Sequence, residues 1–203
     1  MAQVNVKCVP KSLAGPVDPR VVRWLEKRGL PLDPVFLKHV KKFHGGVPVN
    51  QYFTASNGET YRVGRFLPLV DERTRLPRPE QPGIEFGDID IRVERSVVTL
   101  LDAEGPSCRQ LFDQLLPFAA LYAGKLDPSE MILTRGHNEL VCFDYSHPHR
   151  IRPAVVVWLT TESAQEYDRW EDGNAEDDVR YQDFTVPVAE TFEAFAAMLR
   201  PRR

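Results

Sequence analysis

The sequence is poor in the features that usually reveal a function. Its 203 residues include only three cysteines, and none of them form a C-x-x-C motif of the metal-binding or redox type. No apolar run reaches about 18 residues, so no membrane-spanning helix is predicted. The first residues also lack the basic and apolar stretches of a secretory signal. These absences favour a cytoplasmic protein with reduced thiols and no disulfide framework.

Signatures of catalysis and of nucleic-acid binding are missing as well. The chain contains no Walker loop, no G-x-G-x-x-G after a strand, no H-E-x-x-H and no G-x-S-x-G. Its formal net charge is -3 and its pI is about 6.0, whereas nucleic-acid-binding domains are usually basic. We therefore expect a binding protein rather than an enzyme, with no catalytic residues, no cofactor and no metal. Neither nucleic acid nor membrane is an expected partner.

Two helices near the N-terminus begin with the same pair of residues. In Asp18-Pro19 and Asp33-Pro34, the aspartate is a good N-cap and the proline suits the first helical position. Apolar residues then recur at a period near 3.6, and glycines at 29 and 45–46 predict where the two helices end. Residues 1–17, before the first helix, are expected to be a loosely held arm.

Several short apolar segments predict an antiparallel sheet. Asn57-Gly58 predicts a type I′ hairpin turn between strands at Tyr52–Ala55 and Thr60–Val70. Because proline cannot donate a ladder hydrogen bond, Pro117 predicts that its strand lies at a sheet edge or begins there. The further strands are predicted at Leu115–Ala119, Met131–Thr134, Leu140–Phe143, Ala154–Leu159 and Tyr181–Val186.

The remaining elements complete an α+β prediction. Residues 89–101 fit either a strand or a helix, and a helix from about Ile91 explains more of the apolar positions. A last amphipathic helix is predicted over Val188–Leu199. Residues 18–203 should therefore form a single domain, with helices packed against a mostly antiparallel sheet.

An acidic segment is the strongest candidate for a binding site. Between Glu162 and Asp183 the chain has nine acidic residues and only two arginines. Such a run is either a solvated loop or a landing site for a basic partner, and the two interleaved aromatic residues resemble interface anchors. The predicted partner-binding residues are Glu166, Tyr167, Asp168, Trp170, Glu171, Asp172, Glu176, Asp177 and Asp178.

Five segments follow one another along residues 20–200. The first runs from Leu30-Pro31 through Phe36-Leu37 to His44-Gly45-Gly46, and the other four are Leu115–Ala119, Val141–Tyr145, Val155–Trp158 and Val188–Phe195. Together they resemble the SUKH superfamily, the immunity proteins related to fungal Smi/Knr cell-wall-assembly regulators. The first resembles the family's opening helix and its Asn-Gly-Gly end, with histidine in place of the asparagine, and the others resemble three strands and the closing helix.

The resemblance implies a non-enzymatic protein that binds and neutralises a cognate bacterial polymorphic toxin. If that toxin is a nuclease, its active-site face should be basic, and the acidic segment could occupy it as a phosphate mimic. One alternative is a regulatory scaffold of the fungal type. Another is an unrecognised enzyme that uses Asp144, His147 and His149.

Overall fold

Six strands form one antiparallel sheet in which neighbours in sequence are also neighbours in space. The computed structural model describes residues 6–70, 97–98, 114–121, 139–147, 149–159 and 184–201. Within them the strands are β1 (Tyr52–Thr54), β2 (Thr60–Phe66), β3 (Leu115–Leu121), β4 (Leu140–Asp144), β5 (Ala154–Trp158) and β6 (Thr185–Ala189).

Three α-helices whose bounds lie in the described part of the chain accompany the sheet: α1 (Pro19–Lys27), α2 (Pro34–Phe43) and α3 (Phe192–Met198). A single 3₁₀ turn at Pro10–Ser12 precedes them. The α+β class predicted from the sequence is therefore confirmed. None of these helices has the length and apolar character needed to cross a membrane.

The two Asp-Pro pairs begin helices as predicted. The Asp18 carboxylate accepts the Arg20 N–H at 2.8 Å, and Asp33 caps α2 in the same way. After α1, Gly29 has a φ of 78°, which is the left-handed geometry expected of a glycine just past a helix end. Short-range signals are sufficient here because caps are made by residues two or three positions apart.

The β1–β2 hairpin forms as predicted, but with a different turn. Ala55 N–H donates to Glu59 O at 3.0 Å, and Gly58 N–H donates to Ala55 O at 3.0 Å. Ser56 and Asn57 are therefore the central residues of the turn, and Gly58 follows them at a φ of 82°. This is a three-residue loop with a glycine bulge, so the type I′ prediction is wrong.

The prediction that Pro117 marks an edge strand or a strand start is also wrong. The strand β3 pairs with β2 on one side and β4 on the other, and Pro117 is its third residue. The register shifts between Pro117 and Ala119. A bulge at this point accommodates the missing N–H donor inside the sheet.

The two outer strands lie close to each other. Ser56 N–H, just after β1, donates to Pro187 O in β6 at 3.1 Å. Arg200, which follows α3, exchanges two backbone hydrogen bonds with Tyr52 at 2.9 and 3.1 Å. The sheet therefore curls until its ends meet, and main-chain groups that would otherwise be exposed on β1 are paired.

Phenylalanine rings fill the space between the sheet and the helices. Phe36 of α2 is at the centre, with its ring centroid 5.1–5.2 Å from those of Phe118, Phe143 and Phe192. Phe118 and Phe143 stack across β3 and β4 at 4.3 Å. Offset and edge-on contacts of this kind add to the free energy gained from burying the rings.

The described part of the N-terminal segment is packed against the domain rather than loosely held. Val9 N–H donates to Val47 O at 2.9 Å, and Ser12 Oγ accepts the Val47 N–H at 2.8 Å. Backbones approach closely here: a Cβ on Gly46 would lie 2.7 Å from Cys8 Cβ. The glycine pair after α2 therefore makes room for residues 8–14, besides ending a helix.

The ring of His44 also holds the N-terminal segment against the domain through hydrogen bonds. Its Nδ1–H points at the carbonyl oxygens of Ala14 (3.1 Å) and Gly15 (2.7 Å), and its Nε2 accepts the Leu69 N–H at 2.6 Å. This pattern requires the neutral tautomer with hydrogen on Nδ1. Burial lowers the pKa of His44, which favours that neutral form.

The later sequence predictions have mixed outcomes. The strands β4 and β5 match closely, whereas the last helix begins at Phe192, because Val188 and Ala189 belong to β6 and Ala189 pairs with Val155. Residues 97–98 are helical, and the rest of 89–101 lies outside the described residues, as does Met131–Thr134. Cys8 and Cys142 are buried free thiols, as expected.

Replacing Phe36 with alanine should destabilise the protein by about 3–5 kcal/mol, the usual cost of truncating a buried aromatic residue. Phe36 is 1% exposed and contacts four other phenylalanine rings. Urea unfolding measures the change. The control is Val49→Ala, at a position that is 58% exposed, and a loss as small as that of the control would contradict the central role of Phe36.

The buried side chain of His39 should make the fold less stable at acidic pH. It is buried among four phenylalanine rings, its Nε2 has no hydrogen-bond partner among the described residues, and burial lowers its pKa from 6.5 to about 4. Below about pH 6.5 the unfolded chain therefore takes up a proton at His39 that the folded chain does not bind. The free energy of unfolding accordingly decreases as the pH falls from 6.5 towards 4, by about 3 kcal/mol in total.

His39→Phe should remove this part of the pH dependence and leave the protein more stable at pH 4.5 than the parent. Urea unfolding at pH 7.5 and pH 4.5 measures it. Val49→Ala, at an exposed position without a titratable group, is the control and should keep the parental slope. Equal slopes in all three proteins would show that His39 is not the responsible group.

Candidate functional site

A polar cluster lies at one end of the sheet, where β4 ends and β5 begins. The segment joining these strands contacts the N-terminus of α2 and the first turn of α3. We refer to this group as the end cluster. Its members are Asp33, Asp144, Tyr145, His147, Arg150, Arg152, Glu190 and Glu193.

Asp33 is the buried member of the end cluster. One carboxylate oxygen accepts the N–H groups of Val35 and Phe36, both at 2.9 Å, and so caps α2. The other oxygen accepts Arg152 Nε–H at 2.6 Å. The Asp33 side chain has no exposed surface, so this charge is fully removed from water and needs all three donors.

Arg152 joins that cap to α3. Its two terminal nitrogens face the two carboxylate oxygens of Glu193, one of them at 2.7 Å. Hydrogen bonds to Glu193 and Asp33 raise the pKa of Arg152, and the hydrogen bond from Arg152 lowers the pKa of Glu193. The guanidinium group of Arg152 is therefore held between two carboxylates, with Asp33 at Nε and Glu193 at the two terminal nitrogens.

Tyr145 holds the segment after β4 against the loop before α2. Its hydroxyl donates to Pro31 O, and its backbone N–H donates to Gln114 O at 2.8 Å. Burial, followed by the nearby charge of Asp33, raises the pKa of Tyr145. The phenol therefore stays protonated and remains a donor at neutral pH.

Other described residues of the β4–β5 loop make local contacts. Ser146 N–H donates to Asp144 Oδ1 at 2.8 Å, and Arg150 N–H donates to His147 O at 3.0 Å. Arg150 also pairs with Glu190, between β6 and α3, at 2.8 Å. Because water reaches both side chains, this ion pair contributes little to stability.

One alternative from the sequence is an enzyme that uses Asp144, His147 and His149. His147 Nδ1 lies 4.0 Å from Asp144 Oδ2 and 2.9 Å from Ser146 Oγ, so two of the three named residues are close together. His149 is exposed. No group of three or more His, Cys, Asp or Glu side chains suited to a metal occurs within the part of the chain that the structure describes.

Sequence reasoning identified Asp33 only as a helix cap and missed Arg152 and Glu193 entirely. Arg152 reaches residues 119 and 41 positions away along the chain, and no local pattern signals such contacts. The predicted partner-binding residues lie outside the described residues. They are Glu166, Tyr167, Asp168, Trp170, Glu171, Asp172, Glu176, Asp177 and Asp178.

Charge is unevenly divided along the chain. The described residues contain 14 Lys and Arg against 8 Asp and Glu, a formal net charge of +6, whereas the whole chain has a net charge of -3. The other residues therefore carry -9 in total, and the segment from Glu162 to Asp183 supplies most of it, with nine acids and two arginines. The acidity of this protein is concentrated in a few stretches of sequence.

Comparisons with known proteins add no relative. No family model matches the chain, and neither the curated proteins nor the solved structures give a match. The SUKH resemblance therefore stays a prediction from sequence motifs.

Removing Arg152 tests the end cluster. Arg152→Leu leaves the buried Asp33 carboxylate without its cation and should cost about 2–3 kcal/mol. This is less than for a fully buried pair, because 26% of the Arg152 side chain is exposed to water. Thermal unfolding measures the loss. Arg150→Leu, which breaks an exposed pair, should cost at most about 0.5 kcal/mol, and equal losses would contradict the assignment.

Proposed function

We propose that this chain is an immunity protein that binds a cognate bacterial toxin and neutralises it by direct contact. The observation that carries the proposal is the concentration of negative charge in the segment from Glu162 to Asp183, in a chain whose described residues are net positive. Opposite charge on a partner speeds association and disfavours wrong partners. The order of the five SUKH-like motifs supports the same reading.

The partner should present a basic surface. Enzymes that cleave nucleic acids must attract phosphate, so a nuclease toxin would offer such a face around its active site. The acidic side chains would compete with phosphate there. Tyr167 and Trp170, interleaved with the acids, would supply apolar contact area in the middle of the charged contacts.

The packing of the motif segments is consistent with a supporting role for the interior. Phe36, Phe118, Phe143 and Phe192 each come from a different SUKH-like segment, and their rings meet in one cluster. Residues at these positions are used for packing. In this proposal, recognition belongs to the exterior and to the loops, where binding residues commonly lie.

Charge reversal tests the acidic segment. Asp177→Lys combined with Asp178→Lys should slow association with the cognate toxin by roughly tenfold at low salt, because electrostatic steering is weakened. It should also flatten the dependence of the association rate on salt. Surface plasmon resonance at several salt concentrations measures both effects.

The matched control is Glu26→Lys combined with Glu59→Lys, which makes the same change in net charge at exposed positions on α1 and in the β1–β2 turn. This variant should lose less association rate than the first. Equal rates for both variants would mean that net charge alone matters and that the segment is not the docking site. A chain with no toxin gene nearby that instead captures a host regulator would support the scaffold alternative.

A further inference from the structure

The ring of His44 joins three separate parts of the chain. Its Nδ1–H donates to the carbonyl oxygens of Ala14 (3.1 Å) and Gly15 (2.7 Å), which belong to the N-terminal segment, here residues 8–15. Its Nε2 accepts the N–H of Leu69, in the stretch after β2, at 2.6 Å. Because His44 is also the C-cap of α2, this one buried side chain connects the end of α2 to both other stretches.

Only the neutral ring of His44 can make these contacts. A protonated imidazole carries hydrogen on both nitrogens, so its Nε2–H would face the Leu69 N–H, donor against donor. The ring would also carry a buried charge. Burial lowers the pKa of His44, and its hydrogen bonds to the two carbonyl oxygens oppose that shift in part. Adding a proton to the ring therefore disfavours the closed arrangement.

No charged side chain among the described residues is hydrogen-bonded to the His44 ring, and none contributes to the shift in its pKa. Asp18 donates its backbone N–H to Leu69 O at 2.9 Å, and its carboxylate is paired with Arg20. The buried Arg65 donates to Ser12 O at 2.8 Å. The other titratable groups in residues 8–15 and 39–43 are Cys8, Lys11, His39, Lys41 and Lys42. The proton on His44 itself is therefore the charge change to which these contacts respond.

The N-terminal segment is attached to the domain by fewer apolar contacts than the sheet. The side chains that it buries, those of Cys8, Ser12 and Ala14, are small, so their burial contributes little hydrophobic free energy. An isolated bridge between Cys8 and Pro48 pairs it with the chain outside the six-stranded sheet. A region of this kind can open while the rest of a protein stays folded.

We propose that His44 is a pH-sensitive latch: the neutral ring holds residues 8–15 against the domain, and protonation of the ring releases them while the sheet stays folded. Release uncovers the backbone of the glycine pair after α2, because Ala14 lies directly against Gly45 and Cys8 against Gly46. It also removes the Ser12 carbonyl from Arg65. The domain therefore presents a different surface at acidic pH, whatever its partner.

Two cysteines distinguish release of the segment from unfolding of the whole domain. Cys8 lies in the N-terminal segment, whereas Cys142 lies in β4, and both are buried free thiols. The full chain is labelled with a dipyridyl disulfide reagent at pH 7.5 and at pH 5.5, and peptide mass spectrometry gives the rate at each thiol. Each rate is divided by the rate of the same thiol in the unfolded chain at the same pH.

The relative rate at Cys8 should exceed that at Cys142 and should rise about tenfold between pH 7.5 and pH 5.5. This factor follows because a released ring with the ordinary histidine pKa of about 6.5 takes up a proton that the closed form excludes, which raises the population of the open form about tenfold. His44→Gln keeps a donor and an acceptor but does not titrate. In that variant the relative rate at Cys8 should no longer depend on pH.

Two control variants separate the latch from other effects. Ser12→Ala removes the acceptor of the Val47 N–H without removing a titratable group, so it should raise the rate at Cys8 by the same factor at both pH values. His39→Phe removes the other buried histidine of α2 and should keep the tenfold rise at Cys8.

Three results would overturn the latch. They are equal relative rates at Cys8 and Cys142, a rate at Cys8 that does not change with pH, and a tenfold rise that persists in His44→Gln. If His44→Gln does not fold, His44→Asn takes its place, and the contrast between Cys8 and Cys142 in the parent still decides whether the segment opens alone.

Discussion

Asp33 closes the N-terminus of α2 from inside the protein, and its charge is the constraint on which the rest of this structure depends. A carboxylate without exposed surface is tolerated only if hydrogen bonds and a cation replace the water that it has lost. Two backbone N–H groups of α2 and the guanidinium of Arg152 do so. Satisfying one helix cap therefore fixes the position of a residue 119 positions further along the chain.

The contact between Asp33 and Arg152 affects both the interior and the surface of the protein. Towards the interior, the cap sets the start of α2, and Phe36 three residues later enters the aromatic cluster of the sheet and α3. Towards the solvent, Arg152 joins the end of the β4–β5 loop to the start of α2 and to the first turn of α3.

How far the sequence could predict this fold depends on the range of each interaction. The helix caps at Asp18 and Asp33 and the strands β4 and β5 followed from neighbours a few residues apart. The bulge at Pro117 and the pairing of Ala189 with β5 did not, because each depends on a strand distant in sequence. Within the end cluster, the sequence suggested Asp144 and His147 for another role, and it gave no sign of the ion pairs of Arg152.

In the proposed function, the core supports the fold and concentrated negative charge on the exterior recognises a basic toxin. Calorimetric titration of the purified toxin with this chain at low and at high salt measures that recognition. We expect a one-to-one complex whose affinity falls as salt rises and in which toxin activity is lost. An absence of binding at low salt, or a complex indifferent to salt, would contradict it.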